Sequence, residues 1–118
     1  MEAQVMFGDT ELQAVLRKKS LYRVLARHEA QRLGLEISPA ELQATTDVFR
    51  HYFHLTRADE MRAWMEETGT SLQELTEMMR DIALINRLDA LYAAEIDAGM
   101  ADQHRMLAAR ERLQGPKG

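Results

Sequence analysis

The residues best placed to do chemistry are Asp47, His51 and His54. They are four and three positions apart, so on a helix they share one face. Two imidazoles on neighbouring turns are a zinc-binding arrangement. The metalloprotease form of that arrangement, His-Glu-x-x-His, also carries a general base, and this chain lacks it. The set is too short of ligands for a metal centre, and a structural role near a helix end is the preferred reading. His28 and His104 add nothing by spacing. The serines are Ser20, Ser38 and Ser71, and two of them precede helices as caps, so no nucleophile–base pair emerges. With no cysteine in 118 residues, thiolate catalysis, Cys-type zinc sites and disulfides are excluded. No Gly-x-x-x-x-Gly-Lys run offers a phosphate cradle. The carboxylates read as solvated helix surface beside Arg and Lys. The expectation is a protein that binds and does not catalyse, with no cofactor and no metal.

Binding has its own candidates. Met61, Met65, Met78 and Met79 fall within two adjacent helices. Methionine is flexible and polarisable, and it recurs on surfaces that accept varied apolar partners. Taken singly, each is better read as core filling. Taken together with Phe49, Phe53 and Trp64, the set Phe49, Phe53, Met61, Trp64, Met65 and Met78 predicts an apolar groove for an extended or amphipathic peptide.

The elements that would hold these residues are marked by their ends. Asp9 or Thr10 can cap a first helix that runs to Leu33, where Gly34 supplies the stop. Ser38-Pro39-Ala40-Glu41 is a capping box with proline at the first helical position. The second helix carries Leu42, Val48, Phe49, Tyr52 and Phe53 and ends near His54. Thr56 is the expected cap of a short third helix closed by Gly69. Ser71-Leu72-Gln73-Glu74 opens a long fourth helix with an apolar face of Leu75, Met78, Ile82, Ile85, Leu88, Tyr92 and Ile96. Gly99 is either its end or an interior position, and a last helical segment covers 101–113. The fold class is therefore all-α: four to five helices in a small irregular bundle, with a long fourth helix. Residues 1–8 read as a flexible arm, 9–113 as a single helical domain and 114–118 as a flexible tail.

Composition narrows the partner. The formal net charge of −4 disfavours non-specific nucleic-acid binding, which runs on phosphate neutralisation. Arg17, Lys18, Lys19, Arg23 and Arg27 crowd one early segment, more simply a solvated helix face than a docking surface for an acidic peptide or RNA. The second and third helices could pass for a helix-turn-helix. However, RADEMRAWMEE is too acidic for a recognition helix, which usually offers Arg, Lys, Asn or Gln to base edges. No stretch approaches the roughly 20 apolar residues of a membrane span. The start is not a signal peptide, and the lack of cysteine suits a reducing compartment, so the expected location is cytoplasmic. The expected partner is a peptide or protein, with a homodimer possible through the fourth helix and the segment after it.

The order of signals from Gly34 to Leu88 resembles the helical N-terminal domain of SurA-type chaperones and parvulin-linked foldases. The shared elements are Gly34-Leu35, Ser38 to Glu41, Phe49-Arg50, Leu55-Thr56, Trp64, Gly69 to Leu72, and Ile85 to Leu88. They cover about half of the chain. The resemblance implies a helical fold that holds unfolded or extended peptide in an apolar groove. It does not imply prolyl isomerase activity, because no parvulin domain is present, and the export signal usual in that family is missing here. Similar domains occur in bacterial systems that mature ribosomally made peptides. In that setting the resemblance implies an accessory or leader-like subunit docking onto a modifying enzyme. Accessory is favoured over substrate, since the C-terminal tail has no Cys, Ser or Thr to be modified.

Overall fold

The computed structural model describes residues 11–114. All five elements are α-helices: α1 (Glu11–Leu33), α2 (Pro39–Tyr52), α3 (Ala58–Thr68), α4 (Leu72–Leu91) and α5 (Ala93–Gln114). The fold is the all-α arrangement expected, with a fourth helix of 20 residues. The expected caps at Asp9 and Thr10, the arm at 1–8, and residues 115–118 of the tail lie outside the described residues. Gln114, assigned to the tail from sequence, is the last residue of α5.

Three helices end the same way, and the reason is local. After α1, Gly34 adopts φ 69°, and the Leu35 amide donates back to the Ala30 carbonyl at 2.8 Å. After α3, Gly69 adopts φ 68°, and the Thr70 amide reaches Met65 at 2.9 Å. After α2 the same turn is made by His54 at φ 58°, with the Leu55 amide on the Arg50 carbonyl at 2.7 Å. Each is a left-handed residue that closes orphan carbonyls at a helix end. Glycine does this without a Cβ clash, whereas His54 does it against that clash.

The starts follow the caps. Ser38 Oγ accepts from the Glu41 amide at 3.1 Å, with Pro39 at the first turn of α2. Ser71 Oγ accepts from the Glu74 amide at 3.1 Å, while the Ser71 amide donates to Glu74 Oε1 at 3.0 Å. This reciprocal pair holds the Glu74 carboxyl below its ordinary range, chiefly through the backbone hydrogen bond from Ser71. The start of α3 differs from expectation. Its cap position is Arg57, not Thr56, and the Arg57 amide is satisfied by Glu60 Oε1 at 3.0 Å. A glutamate reaching back serves there in place of a capping hydroxyl.

The described chain groups into two units, Met1–Arg87 and Leu88–Gly118. In the first, Met61, Leu75 and Met79 form a buried cluster, with Leu42, Phe49, Leu55, Trp64, Met65, Met78 and Ile82 packed against it. α4 buries more than the single stripe read from its sequence. Leu75 and Met79 lie on one side, while Asp81 and Leu84 are buried at other angles around the same helix. Ala26 and Ala30 of α1 are buried too. They share a helical stripe with Arg23 and Arg27, whose side chains reach α4 at Asp81.

The second unit contains the end of α4 and all of α5. The Tyr92 amide donates to Leu88 and the Ile96 amide to Tyr92, both at 2.9 Å, so one-turn hydrogen bonding runs past the junction. Gly99 does not end a helix; it sits inside α5. None of the α5 residues is buried.

Candidate functional site

The six residues expected to line a groove are divided by the structure. Five of them, Phe49, Met61, Trp64, Met65 and Met78, pack into the cluster shared by α2, α3 and α4. Met61 is buried with Leu75 and Met79, and the other four pack against that cluster and are partly buried. Met79, outside the expected set, is the most deeply buried of the described residues at 1 % exposure. Only Phe53 stands well out, at 55 %.

Phe53 belongs to a different surface, which the groove expectation missed. Its ring lies 4.9 Å from Tyr52 and 5.0 Å from Phe49, and Phe49 lies 5.5 Å edge-on from Trp64. These four rings form a continuous chain from solvent to core. Tyr52 is 75 % exposed, and Val48, one turn before it, is 69 % exposed. Val48, Tyr52 and Phe53 therefore form an apolar ledge at the C-terminal end of α2. Offset and edge-to-face ring contacts of this kind fix the orientation of the exposed members. The turn beneath the ledge is braced by Arg50, whose Nε donates to the Leu55 carbonyl and Nη2 to the Thr56 carbonyl, both at 2.9 Å. The ledge thus stands on a hydrogen-bonded base.

Asp47, His51 and His54 are not brought together as a three-ligand group. Among the described residues no group of three or more His, Cys, Asp or Glu is placed to hold a metal ion. Asp47 accepts from Gln43 Nε2 at 2.8 Å. His51 and Asp47 line a shallow hollow with Arg50 and Thr56, whereas His54 is the left-handed residue that closes α2.

The basic segment of α1 also resolves into two parts. Arg17 and Lys19 are exposed, as a solvated face requires. Arg23 and Arg27 instead converge on Asp81, a carboxylate only 4 % exposed. Arg23 Nε donates at 2.8 Å and Arg27 Nε at 2.9 Å, and a further bond runs from Arg27 Nη2. Burial works to raise the Asp81 pKa, but the hydrogen bonds from Arg27 and Arg23, followed by their charges, outweigh it and hold the carboxyl below its ordinary range. The same contact raises Arg27. Asp81 is thus a structural anion, not part of the solvated helix surface its sequence context suggested. Its two partners lie 58 and 54 residues away in sequence, beyond the reach of any local pattern.

On α3, Asp59, Glu60, Glu66 and Glu67 are all exposed, and Arg57 is paired with Asp59 at 3.2 Å. No helix among the described residues is long and apolar enough to cross a membrane. The chain matches no family model, no curated protein and no solved structure.

Proposed function

We propose that this chain is a non-catalytic binding domain that takes an apolar segment of a peptide or protein partner on the ledge of Val48, Tyr52 and Phe53. The observation that carries this reading is the ring chain Tyr52–Phe53–Phe49–Trp64, exposed at one end and anchored in the core at the other. Aromatic side chains supply large contact area at low conformational cost, and contiguous exposed ones mark interaction surfaces. The ledge replaces the enclosed groove as the contact surface and keeps the class of partner. A chaperone-like role of the kind the SurA-type resemblance implies, exercised here in the cytoplasm, is consistent with such a surface.

The test uses the single tryptophan as its reporter. Trp64 sits one ring contact from Phe49 and two from Phe53, so a segment pressing on the ledge shifts its emission. Extended and amphipathic peptides with apolar anchors are titrated against the wild-type chain and a Tyr52→Ser/Phe53→Ser variant. Both side chains are exposed, so the variant retains its fold. The expected outcome is a saturable shift in the wild type that the variant loses. Silence across the panel, or an unchanged response in the variant, would sink the reading.

A further inference from the structure

α1 carries a surface unrelated to the ledge. Leu12, Val15, Leu16, Lys19 and Tyr22 recur at three- and four-residue steps, so they line one face of the helix. The same face continues through Ala26 and Ala30, both only 4 % exposed. Before Ala26 the stripe lies open: Leu12 is 67 % exposed, Leu16 and Tyr22 are 53 %, and Val15 is 39 %. At 1.5 Å per residue the open part runs for about 15 Å. Single exposed apolar residues need no explanation, but a contiguous row of them marks a contact surface.

The covered half of the stripe shows what this face accepts. Beside Ala26 and Ala30, α4 presents the nearly buried Asp81 to Arg23 Nε at 2.8 Å and to Arg27 Nε at 2.9 Å. The same helix buries Leu84, one turn on. From within the chain, then, α1 receives an apolar helix with a carboxylate set into it. The open half offers matching chemistry with its cations unanswered. Lys19 lies within the stripe, and Lys18 borders it, three residues after Val15 and four before Tyr22. Neither lysine has an ion-pair or hydrogen-bond partner among the described residues. No Asp or Glu occurs between Leu12 and His28 to supply one locally. A second α1 on this face would set lysine against lysine, which costs affinity. Nucleic acid would meet the lysines through phosphate but leave the row of apolar side chains unmatched.

We propose that the N-terminal half of α1 docks an acidic amphipathic helix of a partner protein. The partner's apolar side chains lie on Leu12, Val15, Leu16 and Tyr22, and its carboxylates pair with Lys18 and Lys19. The site shares no residue with the ledge, so either can exist without the other.

The probe is a fluorescein-labelled helical peptide of roughly four turns, with leucines at three- and four-residue steps flanked by glutamates. A second peptide carries lysine at every glutamate. Binding to the full-length chain is read by fluorescence anisotropy, with circular dichroism to verify the helicity of each variant. The acidic peptide is expected to bind saturably and the basic one not to bind. Lys18→Glu/Lys19→Glu is expected to weaken the acidic peptide by about tenfold or more and to gain binding of the basic peptide, which an unfolded chain would not do. Leu12→Ser/Leu16→Ser is expected to weaken the acidic peptide by about tenfold or more. Tyr52→Ser/Phe53→Ser is expected to leave its binding unchanged, which separates this site from the ledge. No binding of the acidic peptide, equal binding of both peptides, or indifference to the two α1 variants overturns the proposal. So does loss of binding in the ledge variant, tighter binding of a single-stranded RNA, or self-association of the chain that excludes the peptide.

Discussion

Asp81 is the one buried charged residue among those described. It is nearly dry, yet it accepts from two arginines whose own side chains are 38 % and 51 % exposed. Removing one partner of a buried ion pair is usually far more costly than losing an exposed pair. The half-exposed arginines can recover water, which lowers that cost. Asp81→Asn is therefore expected to destabilise the chain by about 2 kcal/mol, read from a urea titration. The sign of the pH dependence follows from the direction of the shift. The folded carboxyl titrates lower than the unfolded one, so the stabilisation is complete above the unfolded pKa of about 4. It is lost as pH falls through the lower folded value. The wild type should show this acid loss, and Asp81→Asn should show a flatter acid limb. Equal acid sensitivity in both would mean that another carboxylate governs it.

Among the elements, the helix ends were the most legible feature of the sequence. Gly34 and Gly69 sit at the left-handed stops, and Ser38 and Ser71 sit at the caps, as their residue types require. Two boundaries were not legible for physical reasons. The start of α3 falls on Arg57 and not on Thr56, because Glu60 reaching back to the Arg57 amide takes the place of a capping hydroxyl. The junction at Tyr92 has neither Gly nor Pro, while the nearby Gly99 is interior to α5. His54 yields a direct prediction. His54→Gly should raise stability by about 0.5–1 kcal/mol, because it relieves the Cβ clash at φ 58°. Gly34→Ala should lower it by about 1 kcal/mol at φ 69°. Thermal melts of the two variants moving in the same direction would contradict this account of the helix ends. The placing of the expected groove residues follows a related logic. Periodicity finds the apolar face of each helix but cannot tell which faces meet. Phe49, Trp64 and Met78 pack, partly buried, against the cluster of Met61, Leu75 and Met79, leaving Val48, Tyr52 and Phe53 outside.

For the molecule as a whole, burial is distributed unevenly along the chain. Every buried residue among those described lies between Ala26 and Leu84. A chain ending at Tyr92 should therefore still unfold cooperatively. Its thermal midpoint should lie within a few degrees of that of the full chain measured where the latter is monomeric, about 4–8 °C corresponding to 1 kcal/mol at this size. Loss of the cooperative transition would show that 93–114 is needed for folding of the first unit. The same unevenness sets the chemistry of the methionines towards peroxide. Oxidation to the sulfoxide follows exposure and turns an apolar side chain polar. Met100 and Met106 are 45 % and 64 % exposed, whereas Met61 and Met79 are shielded at 9 % and 1 %. Mild oxidant should add oxygen first on α5, none of whose residues is buried. Met79 acquires it only when the first unit opens, so the rate of its sulfoxide formation records how often that opening occurs.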